Sequence, residues 1–215
     1  MKGKRSSAGF TLVELLVAVV LVAALGTLTA ATLGRMRDSL RVVRAQQDLR
    51  EIMVAIQLYR NDHHGVCPPT RFSCSSGAVF PLPVELVDYG LPAGEGRIGT
   101  RTVAMADAFR GDAGYRYRAV GPAIMNESVM VADGSRLWVP DGFPWSSGNA
   151  GRYHDDPRSS PVLFAVWSAG PEPEAALFDV PGRLPLPQCY WMKRAGDPGV
   201  VMQAQAHNGE IITSQ

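Results

Sequence analysis

Apolar residues are distributed very unevenly along this chain. From Phe10 to Leu33 they run almost unbroken, with a single charged residue, Glu14, and no proline. At about 1.5 Å per helical residue the run makes roughly 36 Å, enough to cross a bilayer core of about 30 Å with some tilt. A carboxylate near a bilayer centre costs about 2.5–3.5 kcal/mol and less toward an interface, so one placed inside a span calls for a partner or a role.

Past Leu33 the periodicity continues in an altered form. Leu40, Val43, Leu49, Ile52, Met53, Ile56 and Tyr59 recur mostly at helical steps, with Arg44, Gln47, Asp48, Arg50, Glu51 and Arg60 between them. No proline interrupts Phe10 to Asn61. One continuous helix is predicted, its first half in lipid and its second half pressing an apolar stripe onto a head. Gly26 and Gly34 are its weak points, each costing about 1 kcal/mol relative to alanine. Gly65 and the pair Pro68-Pro69 end it.

The remainder reads as short elements between turns. A short helix is predicted over Pro83 to Tyr89, closed by Gly90. Tyr115 to Val120 alternates aromatic and basic side chains, the pattern of a half-exposed strand. Val129-Met130-Val131 and Leu137-Trp138-Val139 flank Asp133-Gly134-Ser135, which predicts a hairpin. Asp141 to Ser160 is mostly Gly, Ser, Pro, Asp and Arg and reads as an exposed loop. Val162 to Trp167 is a buried-strand signal, Val200 to Ala204 a later strand, and Asn208-Gly209 turns into Glu210-Ile211-Ile212 as a terminal hairpin. Together these predict an α+β fold: a long helix packed on a small antiparallel sheet.

Charge adds little. The chain has 21 basic and 20 acidic residues. Removing a leader that holds Lys2, Lys4 and Arg5 takes the basic count to 18, so the rest is near neutral. That leaves no electrostatic footprint for nucleic acid. The three cysteines are Cys67, Cys74 and Cys189. In an oxidising compartment one disulfide and one thiol are expected, with Cys67–Cys74 preferred by proximity and Cys189 open as a partner for either.

Catalytic signatures are missing from the sequence: there is no phosphate-binding glycine loop, nucleophile elbow, His-Glu-x-x-His or Cys-x-x-Cys. His63-His64 lies beside Asp62, but adjacent histidines on a helix diverge by about 100° and do not readily share one ion. His154-Asp155-Asp156 sits in a polar stretch and reads as solvated charge. No enzyme is expected.

Gly9-Phe10-Thr11-Leu12-Val13-Glu14-Leu15-Leu16, behind the basic residues of Met1 to Ala8, resembles the processing site of type IV pilins and type II secretion pseudopilins. The resemblance implies cleavage by a prepilin peptidase after Gly9 and methylation of the new N-terminal Phe10. It also implies that Glu14, the fifth mature residue, faces the N-terminal ammonium of a neighbouring subunit. An ordinary signal peptide cut near Thr29-Ala30-Ala31 and a plain uncleaved anchor are the rival readings; the length of the run and Glu14 inside it argue against the first.

Further segments are similar to the major (G) pseudopilin of type II secretion. They are the helix end through Tyr59 into Pro68-Pro69, Asp107-Ala108-Phe109-Arg110-Gly111 before Tyr115-Arg116-Tyr117, and Ser168-Ala169-Gly170-Pro171-Glu172. The last resembles the opening of a calcium loop, for which Ser168, Glu172, Glu174 and Asp179 would supply the oxygen donors that calcium requires. Glu172 stands where the family has Asp, and Pro173 where it has Gly. Ala31 stands where many members have a helix-loosening proline. The loop near 141–160 has no counterpart in the smaller members and reads as an insertion.

The implied organisation is a leader over 1–9, a transmembrane segment over 10–33, the amphipathic half of the same helix over 34–61, and a head over 62–215. The implied function is a structural subunit of a pseudopilus. Its partners would be copies of itself, other pseudopilins, the prepilin peptidase, an inner-membrane assembly platform and lipid. The implied location is a bacterial inner membrane, with the N-terminus cytoplasmic and the head periplasmic. A type IV pilus or DNA-uptake pilin is the near alternative, and a membrane-anchored binding or catalytic domain the distant one.

Overall fold

The computed structural model describes residues 11–72, 80–95, 100–111, 113–126, 128–145, 150–168, 170 and 185–214, the side chains of 28–31 and 35 excepted. Helix α1 runs without a break over Leu12–Asp62. Its 51 residues extend about 77 Å at the usual rise. Thr11 is the N-cap and His63 the C-cap, whose N–H bonds the Tyr59 carbonyl. The chain then turns through His64 and Gly65, both at positive φ (54° and 84°), which glycine adopts without a Cβ penalty. Gly65 N–H closes on the Arg60 carbonyl at 2.7 Å.

Two halves of α1 differ sharply in burial. From Leu12 to Leu25 the large apolar side chains are exposed, whereas Ala45, Leu49, Ile52, Met53, Ala55 and Ile56 are buried. The expected stripe is therefore shorter at its start. Leu40 and Val43 are 63% and 60% exposed, because the apolar core of the head begins only at about Val42. The last turn is held by Arg60, whose Nη1 donates to Gln205 Oε1 at 2.5 Å.

The main sheet has four antiparallel strands in the order β11-β10-β9-β4. These are β4 (Arg116–Ala119), β9 (Val162–Ser168), β10 (Val201–Ala206) and β11 (Ile211–Thr213). A second sheet of β1 (Thr70–Phe72), β5 (Ala123–Met125) and β6 (Val129–Met130) joins β1 and β5 in parallel. Hairpins β2 (Ala93–Glu95)–β3 (Arg101–Val103) and β7 (Leu137–Pro140)–β8 (Gly151–His154) complete the head. The short helix is 3-10 over Val84–Tyr89, closed as expected by Gly90 at φ 101°.

Both faces of the main sheet are buried. Tyr115, Tyr117, Phe164, Val166 and Val201 face α1 with Leu49, Ile52 and Ile56. Ala165, Trp167, Met202 and Ala204 face the other way, against Leu137, Val139, Phe80 and Leu186. That double burial explains why β9 is a continuous apolar run, since a strand covered on both sides has no solvent face to keep polar.

It also corrects two readings. Tyr115 to Val120 is not half-exposed: Tyr117 is fully buried and Arg118 is 8% exposed, its guanidinium 4.6 Å from the Phe80 ring centroid. Burial pulls the Arg118 pKa down to about 10. The expected 129–139 hairpin is absent as such, because β6 pairs with β5 and β7 pairs with β8. The stretch read as an exposed loop over Asp141 to Ser160 accordingly contains β8. Trp145, at the turn of this hairpin, is 86% exposed.

Candidate assembly site

The N-terminal end of α1 is built by two side chains. Thr11 Oγ1 accepts from the Glu14 N–H at 3.3 Å. Glu14 Oε2 accepts from both the Thr11 N–H and the Thr11 hydroxyl, each at 2.9 Å. This is a reciprocal capping box, which satisfies donors that the first turn otherwise leaves open. Its sequence signal, Thr11 with Glu three residues later, stands in plain view, and the sequence reading passed over it in favour of an intersubunit role. Gly9 and Phe10, the expected cleavage and methylation positions, lie outside the described residues.

The surface beyond the cap has no covering. Leu12, Val13, Leu15, Leu16, Val19 and Val22 are all more than half exposed. The helix is long and apolar enough to cross a membrane, and its most apolar window has no buried residue. Water would not tolerate such a surface on an isolated molecule, since apolar patches beyond a few hundred Å² mark an interaction with lipid or protein.

Asp48 adds a polar tie between that helix and the head. Its Oδ2 accepts from the Tyr115 hydroxyl at 2.6 Å, and the same oxygen of Tyr115 accepts from the Ala108 N–H at 3.2 Å. Burial, reinforced by the Asp48 carboxylate, pushes the Tyr115 phenol far above its ordinary pKa. Next to it, Asp107 is 3% exposed and its Oδ1 accepts from the Ser168 hydroxyl at 2.7 Å and from the Phe109 N–H at 2.9 Å. Neither Asp48–Tyr115 nor Asp107–Ser168 was legible from sequence, because 67 and 61 residues separate the partners.

Of the expected calcium ligands, Ser168 is fully buried, its hydroxyl given to Asp107 and its oxygen accepting from Gly170 N–H at 3.2 Å. Glu172, Glu174 and Asp179 lie outside the described residues. So does Cys74. Cys67 is buried, and burial pushes its thiol up to about 11. Cys189 is exposed.

His63 stacks flat on Tyr59 with ring centroids 3.8 Å apart. Its Nδ1 lies 2.8 Å from the Tyr59 carbonyl, which is the geometry of a helix-end donor. His154 is on β8, not in a polar loop, and burial followed by Arg152 lowers its pKa. Among the described residues no group of three His, Cys, Asp or Glu side chains could hold a metal ion.

Residues 4–30 match the family described as the prokaryotic N-terminal methylation motif. No curated protein and no solved structure matches the chain. The matched segment covers the end of the basic leader from Lys4, the Gly9-Phe10 junction, the Thr11–Glu14 cap and most of the bare apolar helix. Joined to a long apolar helix on small antiparallel sheets, it supports a membrane-anchored, type IV pilin-like protein with a pilin-like α+β fold.

Proposed function

We propose that this chain is a structural subunit of a type II secretion pseudopilus, cut after Gly9 by prepilin peptidase and methylated on Phe10. The observation that carries the reading is the continuity of the methylation motif with a helix whose first half is bare and whose second half is built into the head core. A helix so divided can reside in lipid, leave it, and pack against copies of itself without unfolding the head. In this reading the Glu14 carboxylate meets the methylated ammonium of a neighbour on assembly. Thr11 bonds its Oε2, which leaves Oε1 for that partner.

Secretion is favoured over a type IV pilus or uptake filament by the segments around Tyr59, Tyr115 and Ser168 that resemble the major pseudopilin. The function is mechanical, and the head would be periplasmic. Sequencing the mature N-terminus tests the class: methylated Phe10 is expected, and a chain starting near Thr32, or still at Met1 in peptidase-competent cells, overturns it. Loss of enzyme secretion with intact surface piliation in a deletion strain tests the system. Calcium held by Ser168, Glu172, Glu174 and Asp179, and a Cys67–Cys74 disulfide, belong to the same proposal. A chelator-dependent fall in melting temperature and a disulfide-linked peptide species that disappears on reduction are their respective readouts.

A further inference from the structure

We infer that the head docks on anionic phospholipid headgroups of the membrane that holds its helix, through a basic patch shared between α1 and the loop after Met192. The inference rests on the reading that α1 spans a bilayer. Arg37 and Arg41 follow the apolar half of α1, and both are exposed. The loop brings Lys193 and Arg194 to the same level from more than 150 residues away. Gly196, at φ 94°, lies so close to Asp38 that a Cβ there would stand 3.2 Å from Asp38 Oδ2. Asp38 is five residues beyond Leu33, or about 7.5 Å along the helix axis. A charge at that height is within about one Debye length, roughly 8 Å at physiological ionic strength, of the surface at which the apolar segment ends.

The loop is fixed to the head. Met192 is buried in the core, its N–H donates to the Val200 carbonyl at 3.1 Å, and Asp197 N–H closes a turn on Arg194 at 3.0 Å. Charge balance favours an anionic partner. Asp38 is paired with Arg41 at 3.4 Å. Among the described residues Asp197 is the other carboxylate of the patch and is half-buried. Among the described residues Arg37, Lys193 and Arg194 make no ion pair within 4.0 Å. Lys193 is the only lysine outside the leader. Each such cation near an anionic bilayer strengthens association about fivefold, and the effect is screened by salt.

The test uses the full chain in vesicles of phosphatidylcholine alone or with one third phosphatidylglycerol, carrying a photo-crosslinking benzoylphenylalanine at exposed Ala195 or, separately, at exposed Val19. Lipid adducts at Val19 are expected in both vesicles. Adducts at Ala195 are expected to rise at least about fivefold with phosphatidylglycerol, and to return to the neutral-vesicle level with K193E/R194E or at high salt. If Val19 forms no lipid adduct, the membrane-span reading fails and the docking with it. If Val19 does, but Ala195 crosslinks equally in both vesicles or ignores the double reversal, docking alone is overturned. Both reversed side chains are exposed, and a circular dichroism melt of the variant checks that the head is intact.

Discussion

Thr11 and Glu14 close on one another across the first turn of α1, the hydroxyl accepting from one backbone N–H and the carboxylate from the other. This carboxylate caps its own helix, and in the proposed assembly it also carries the charge that a neighbour meets. Substitutions can separate them. Glu14→Gln keeps a carbonyl for the Thr11 N–H but removes the charge, whereas Thr11→Val keeps the charge and breaks the cap. Peptidase cleavage is expected to persist in both. Incorporation into sheared filaments is expected to be lost only in Glu14→Gln, and wild-type incorporation of that variant would remove the charge role. Thr11→Val is expected to speed amide exchange in the first turn about fivefold, the effect of one lost cap.

Tyr115→Phe leaves the Asp48 carboxylate and the Ala108 N–H without their shared partner. A hydrogen bond to a charged group contributes about 1.5–3 kcal/mol, so a fall in head stability of that order is expected on urea titration. The phenol also sets a pH limit. Its folded pKa lies above the ordinary value of 10.0, so its contribution is complete below pH 10 and falls as pH rises beyond it. The alkaline loss should be shallower in Tyr115→Phe; identical alkaline profiles would assign it elsewhere.

The two ends of the apolar stripe should respond differently. Leu49→Ala and Ile52→Ala empty fully buried positions and are expected to cost about 2–5 kcal/mol each. Leu40→Ala, at an exposed site, is expected to change head stability by less than about 0.5 kcal/mol. A similar loss at Leu40 would mean that the apolar core of the head reaches further along α1 than Val42.

With any Cys67–Cys74 bridge first reduced, Cys67 should resist alkylation at pH 8. Its thiol is buried and pushed up to about 11, so the reactive thiolate is scarce and sheltered. Mass spectrometry after brief iodoacetamide treatment is expected to find Cys67 unmodified in native protein and modified in urea. Native modification of Cys67 would refute its burial in the core beneath the sheet.

Gly170 follows Ser168 at φ 73°, and a Cβ there would drive into the Gly199 carbonyl oxygen. Gly170→Ala therefore meets both left-handed strain and backbone collision. Its expected cost exceeds about 2 kcal/mol. An unchanged melting temperature would show that the β9–β10 end adjusts freely.

The sequence by itself determined the helix and its passage from an unbroken apolar run to an apolar stripe. Composition and period over Phe10 to Tyr59 depend only on neighbours three and four residues apart, and such spacing is printed in the chain. The same holds for β9, the Gly90 stop and the Asn208-Gly209 turn. Tertiary structure alone decided what covers the far face of the sheet. Arg118 reads as a solvent-facing residue until Phe80 and the β7–β8 hairpin are laid over it. Likewise, only the fold brings Tyr115 to Asp48, Ser168 to Asp107 and Gly196 to Asp38. These are pairings between distant segments, and their stability comes from burial that no local pattern of residues records.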